Sequence, residues 1–183
     1  FTDKSITLGE GGAVLTSSDD LYEELLMLKN DGRLERGMYV HDRVGYNLRI
    51  TELQGAVGVA QLGKLDTIVR RKRENADLYR RLLEGVPSLE FTYRDPRSFI
   101  VPHRVNVLVD DPDSLIAHME ANGIGCRRFY LPVHMQPCYD VAGDFPNAER
   151  AYRRGLSLPS APMLGEEQIA FVCTKVREFF GAA

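Results

Sequence analysis

The chain has 183 residues, of which 44% are hydrophobic and 27% charged, and a formal net charge of −3. These are the proportions of an ordinary globular protein able to bury a core, and they lack the clustered basic excess of a nucleic-acid binder. No apolar run approaches the roughly 20 residues that cross a bilayer, so neither nucleic acid nor a membrane is an expected partner.

The chain opens FTDKSITLGEGGAVLT. Lys4 stands five residues before Gly9-Glu10-Gly11-Gly12, a run whose glycines permit left-handed backbone and close approach. Two readings stand side by side: a solvated lysine before a turn, and a lysine delivered to a fixed spot for covalent chemistry with a carbonyl compound. Ala13–Thr16 reads as a short buried strand. A glycine loop with a strand directly behind it normally follows much sheet. Beginning at Phe1 rather than Met, the sequence therefore reads as the back half of something larger.

Ser18 is placed to cap a helix running to about Asn30, with Asp19 and Asp20 at its positive end. Leu21, Leu25 and Leu28 form its apolar stripe, and Asn30-Asp31-Gly32 stops it. Residues 33–46 carry no periodicity and read as a long loop, a kind of segment that is often functional. Thr51-Glu52-Leu53-Gln54 has capping-box spacing. The helix it starts is expected to run to about Glu84, ending at Gly85 and Pro87 and linking two layers or domains. Gly55, Gly58 and Gly63 weaken its first turns by about 1 kcal/mol each relative to Ala, which points to close helix–helix packing. The basic run Arg70-Arg71-Lys72-Arg73 reads as a solvated helix face.

Beyond that helix the pattern alternates. Leu89–Tyr93 and Ile100–Val109 read as strands, the second interrupted by Pro102. Asp111-Pro112 opens a helix that closes at Asn122-Gly123. Ile124–Phe129 is strand-like, Asn147–Arg154 a short helix, and Glu166–Phe180 a helix with Ile169, Val172, Cys173, Val176 and Phe180 on one face. Strands alternating with helices indicate a small α/β layer. Cys126, Cys138 and Cys173 are odd in number and lack C-x-x-C spacing. They read as reduced thiols of a cytosolic protein, packed as small apolar side chains. Four scattered histidines do not suggest a metal site.

Several blocks recur in one known order: Lys4 through Gly12, Gly45-Tyr46-Asn47-Leu48-Arg49, Thr51 through Ala56, Ala60-Gln61-Leu62, Gly123-Ile124, Tyr130 through Pro137, and Leu156 through Ser160. In that order and spacing the chain resembles the C-terminal half of the DegT/DnrJ/StrS family of nucleotide-sugar aminotransferases, which depend on pyridoxal phosphate. Phe129–Pro137 and the last block look most like its perosamine synthase branch.

The resemblance implies an α/β fold: the C-terminal part of a fold-type I aminotransferase. A remnant of the large cofactor domain would occupy about 1–48, and a small α/β domain 49–183, joined through the long helix at about 51–84. It implies a homodimer that transfers an amino group, from glutamate, to a nucleotide-linked 4-keto-6-deoxy sugar in lipopolysaccharide O-antigen biosynthesis. Lys4 occupies the place of the lysine that binds the cofactor aldehyde, and lysine here argues against the dehydratase branch, which has histidine. Asn47 occupies the place of an asparagine reaching the cofactor phosphate of the other subunit, although position alone would make it a turn or cap residue. His134 corresponds to a histidine near the sugar nucleotide, and on residue grounds alone it is a hydrogen-bonded structural histidine. Arg49 either serves an anion or pairs with an acid. The family's ring-stacking residue, its acid facing the pyridine nitrogen and its phosphate-binding helix start are expected upstream of Phe1, so this polypeptide alone is not expected to complete the reaction. The competing reading is a non-catalytic dimerising or sugar-nucleotide-binding module derived from the same family.

Overall fold

The structure is a computed structural model that describes residues 4–35, 37, 39–139 and 142–182. The chain falls into two compact units, Phe1–Leu65 and Asp66–Ala183.

In the first unit, α1 (Asp19–Lys29) starts where the sequence places it, with the Ser18 hydroxyl accepting from Leu21 N at 3.3 Å. Helix α2 (Glu52–Leu62) carries the full capping box between Thr51 and Gln54. Residues Ala13–Thr16 form no strand; no neighbouring strand pairs with them among the described residues, and Val14 and Leu15 stand 70% and 94% exposed. No hydrophobic side chain of the unit's described residues is buried. The unit is held by polar and backbone contacts together with the Leu8 side chain against Gly58.

The expected single helix over 51–84 is two helices, α2 and α3 (Leu65–Leu82), separated at Gly63-Lys64. Gly63 caps α2 by donating its N–H back to Val59 O at 3.1 Å, and Lys64 N turns to Gln61 O. A glycine at this position relaxes the helix constraint that Ala would hold. Among the described residues the other two glycines meet no second helix. Gly58 is buried against the Leu8 side chain, and a Cβ on Gly55 would meet nothing within 4 Å.

In the second unit, a four-stranded antiparallel sheet is ordered β1-β2-β4-β3: β1 (Leu89–Phe91), β2 (Val105–Val109), β3 (Arg127–Arg128) and β4 (Gly155–Leu158). Proline has no N–H for a ladder, and β2 begins only after Pro102. The alternation in Val105, Val107 and Val109 buries one face. The central strand β4 was not anticipated. It follows α5 (Pro146–Arg154) without a turn, and all four of its residues are buried. Its one polar side chain, Ser157, donates to Asn106 Oδ1 across the ladder at 2.8 Å, which satisfies a group whose burial would otherwise be costly.

Helix α4 (Pro112–Ala121) starts on Asp111, whose side chain accepts from Ser114 N, with Pro at the first turn. Helix α6 (Glu166–Phe180) ends on Gly181 at φ 62°. Ile169, Val172, Cys173 and Val176 from α6 join Leu115 and Met119 from α4, Ala76 and Tyr79 from α3, and the sheet residues Val107 and Leu156 in one core. The basic run of α3 is a solvated face only in part: Arg70 and Arg73 are exposed, while Arg71 and Lys72 turn inward. Lys72 is only 6% exposed, and its ammonium faces the carbonyls of His103 (3.1 Å), Pro102 and Ser160 (3.5 Å each). Arg71 donates to Leu164 O, while Arg73 lies 4.4 Å over the Phe99 ring.

Candidate functional site

Lys4 lies on an exposed bend leading into the glycine run. That run has definite shape. Gly9 N donates to Thr7 Oγ1 at 2.9 Å, and Gly9 takes φ +81°, a conformation that favours glycine. The Leu8 side chain sits against Gly58 and within 2.8 Å of where a Gly11 Cβ would stand. The Gln54 side chain donates to Glu10 O at 2.9 Å while its Oε1 accepts from Thr51 N at 2.8 Å. One side chain thus closes the α2 cap and ties the turn that follows Lys4. The capping box was legible in the sequence; the second bond was not, because it joins residues 44 apart.

Asn47 is exposed, and its backbone is clamped to the end of α1. Tyr46 N donates to Leu28 O (2.7 Å), Asp31 N to Tyr46 O (3.0 Å) and Leu48 N to Lys29 O (3.0 Å), with Asn30 and Asn47 as the bridged pair. Its side-chain amide makes no hydrogen bond among the described residues. Of the two roles open to Arg49, the structure shows the acid pair. Arg49 Nη1 donates to Asp31 Oδ2 (2.9 Å) and Asn30 Oδ1 (2.8 Å), and Arg33 Nη2 also reaches Asp31 Oδ2 (2.8 Å). The Arg49 guanidinium, with Arg33 assisting, holds the Asp31 carboxyl below the usual carboxylate range. Asp31 takes a left-handed φ of 60°, a state that Asp tolerates better than most residues. Gly32 and Gly45 cross so closely that a Cβ on Gly32 would collide with the Arg43 carbonyl, and one on Gly45 with the Gly32 backbone. Beside this knot lies an open depression of about 540 Å³ lined by Asp31, His41, Arg43, Val44 and Gly45. In the sequence Asn30 and Asp31 read only as a helix stop, and Arg33 as the start of the loop.

His134 belongs to the second unit, in a 3-10 turn at Val133–Met135. It is 14% exposed, stacks on Phe145 at 4.5 Å between ring centres, and points Nε2 toward Glu149 Oε1. At 3.6 Å that contact is too long for a hydrogen bond, and the buried Nε2 has no hydrogen-bond partner among the described residues. Glu149 is bonded instead to Arg153 at 3.0 Å.

The remaining candidates are structural. His118 Nε2 lies 3.0 Å from Lys175 O and His41 Nδ1 2.8 Å from Asp31 O. No group of three metal-ligating side chains occurs among the described residues. Burial pushes the Cys126 thiol up to about 11 and the Cys173 thiol up to about 12, so neither is a nucleophile near neutral pH. Cys138 departs from the expectation of packed thiols and is exposed. No helix among the described residues is long and apolar enough to cross a membrane.

Lys4 and Asn47 thus fall in one unit and His134 in the other. The donor chemistry of the first two fits pyridoxal phosphate: a primary amine for an aldehyde, and an exposed neutral amide able to donate to a phosphate oxygen.

The fold is that of the sugar aminotransferases. The crystal structure of the sugar aminotransferase CalS13 from Micromonospora echinospora matches with a TM-score of 0.87 and 26% identity, over 95% of this chain and 49% of that one. Sequence relatives agree. A GDP-perosamine synthase of Vibrio cholerae is 35% identical over 188 residues, covering 98% of this chain and 51% of that protein. A dTDP-3-amino-3,4,6-trideoxy-alpha-D-glucose transaminase of Streptomyces venezuelae is 36% identical over 176 residues, covering 93% and 46%. The DegT/DnrJ/EryC1/StrS aminotransferase family model matches residues 1–177, and the chain belongs to that family. It spans about half the length of the curated relatives it matches.

Proposed function

We propose that this chain supplies its half of a pyridoxal-phosphate-dependent aminotransferase acting on a nucleotide-linked 4-keto-6-deoxy sugar, with glutamate as amino donor. The observation that carries the reading is the family match over residues 1–177, together with Lys4 standing ahead of the glycine turn. When bound, the cofactor supplies an electron sink for the carbon that gains or loses the amino group. Lys4 Nζ is the amine that takes the cofactor aldehyde, and in the free state it is the base that moves a proton at the reacting carbon. The glycine turn, tied down through Gln54, fixes the approach of Lys4. Asn47 donates its amide to the cofactor phosphate of the partner subunit in a homodimer, and His134 binds the sugar nucleotide.

The test is made on the full-length protein. Pyridoxal phosphate is expected to give a stoichiometric visible absorbance band that is absent in Lys4→Ala, and glutamate with the keto sugar to yield 2-oxoglutarate. A full-length protein that shows neither is the non-catalytic member of the family that the sequence leaves as the other reading.

A further inference from the structure

We infer that the Asp31–Arg49 pair is a positioning device for Asn47, and that neither residue touches the cofactor. The inference rests on the proposed role of Asn47. Three backbone hydrogen bonds flank Asn47, from Tyr46 N to Leu28 O, Asp31 N to Tyr46 O and Leu48 N to Lys29 O. On one side the crossing of Gly32 and Gly45 excludes any side chain and brings the two segments into backbone contact. On the other, Arg49 Nη1 reaches back to both Asn30 and Asp31. Asn30 is buried, 8% exposed, and its Nδ2 donates to Arg33 O at 3.0 Å, so the acceptors that Arg49 uses are themselves fixed.

This placement commits one guanidinium nitrogen of Arg49 to the end of α1. That nitrogen, Nη1, is engaged with two oxygens, and the Asp31 carboxylate is shared with Arg33. An arginine paired with a carboxylate and a fixed amide oxygen clamps the segment that carries it. Within the clamp the Asn47 side chain is exposed, and its amide makes no hydrogen bond among the described residues. The described residues of the loop 33–46 include no buried apolar side chain, and these polar contacts are what hold one amide at one place. Small displacements of a positioned group weaken what it does steeply.

The test compares pyridoxal phosphate with pyridoxal, which lacks the phosphate, on the full-length protein. A direct phosphate contact is expected to make Asn47→Ala lose about tenfold or more in affinity for the first ligand and nothing for the second. Asp31→Asn, isosteric and tolerant of the left-handed backbone, and Arg49→Met are expected to reduce the same ratio several-fold, with Arg49→Lys recovering part of it. Combined with Asn47→Ala, either variant is expected to add no further loss, and hydrogen exchange over residues 44–50 is expected to rise in both. Thermal melts confirm that the variants are folded. If Asn47→Ala leaves the ratio unchanged, the reading of Asn47 falls and the inference with it. If Asn47→Ala lowers the ratio but Asp31→Asn does not, only the inference is overturned. A loss in Arg49→Met without one in Asp31→Asn would mean that Arg49 acts through its own charge.

Discussion

Gln54 and Glu10 are joined by a hydrogen bond of 2.9 Å from the Gln54 side-chain amide to the Glu10 carbonyl, which makes the cap of α2 and the glycine turn after Lys4 one piece of structure. The two roles of Gln54 separate by mutation. Gln54→Glu keeps an oxygen for Thr51 N and adds a charge that suits a helix N-terminus, but it cannot donate to Glu10. Its stability in urea is expected to stay close to wild type, while amide exchange at Gly11 and Gly12 accelerates. Gln54→Ala loses both side-chain contacts, while Thr51 still accepts from the residue-54 amide, and is expected to cost about 1 kcal/mol for the lost hydrogen bonds. Equal exchange at the two glycines in wild type and Gln54→Glu would remove the tether from the account.

The caps that positioned α1, α2 and α4 were readable because each is local: a Ser, Thr or Asp side chain accepts from an amide three residues on. The α6 core face was readable for the same reason, since its period is fixed by the helix. Strand β4 was not, because Leu156-Ser157-Leu158 is too short to show a period and no turn separates it from α5. The failure at Ala13–Thr16 has the opposite cause: a good strand pattern means little where no neighbouring strand pairs with it. At the candidate site, Lys4 and Asn47 stand in recognisable motifs. Their supports, Gln54 to Glu10 and Arg49 to Asp31, join residues 44 and 18 apart, a distance over which spacing carries no signal.

Lys72 sets up an alkaline test of the second unit. Burial, with Arg104 adding repulsion, lowers its proton affinity in the folded protein from the ordinary lysine value. Between the folded value and about 10.5 the unfolded chain therefore binds more protons, and this residue's contribution to stability rises with pH. Cys126 and Cys173 act in the opposite sense, their raised thiols losing stability for the fold as pH climbs above about 9. Urea melts from pH 7.5 to 10 should thus be compared between wild type and Lys72→Met, which cancels the thiols. The wild type is expected to gain on the variant as pH rises. A difference independent of pH would mean that the three carbonyls hold the ammonium as firmly charged as water does.

Thiol chemistry gives a simpler check of burial. Cys138 is exposed, whereas burial raises the other two thiols to about 11 and 12. Since the thiolate is the reactive species, a disulfide reagent at pH 8 is expected to modify Cys138 quickly in the native protein. Cys126 and Cys173 are expected to follow only with unfolding. Two fast equivalents would show that the half-buried Cys126 opens without global unfolding.

The last prediction concerns Lys4 and Asn47 in the full-length dimer, where the proposal has each cofactor served by Lys4 of one subunit and Asn47 of the other. Both residues lie in the first unit, Lys4 on a bend before the glycine turn and Asn47 in a segment clamped to the end of α1. Such a segment can lie across a twofold axis, where an isologous contact places each subunit's loop in its partner's site. Losing a hydrogen bond to a charged phosphate costs about 1.5–3 kcal/mol, so Asn47→Ala is expected to weaken cofactor retention about tenfold to a hundredfold. Asn47→Asp does more, because it sets a negative charge against the phosphate. Mixing inactive Lys4→Ala with inactive Asn47→Asp then decides the arrangement. If the two residues come from different subunits, each mixed dimer holds one site with both defects and one with neither, and recovers about half the wild-type activity by that symmetry. If both act within one chain, every site in the mixed dimer keeps one defect. Activity then stays absent although native mass spectrometry shows that the subunits have exchanged.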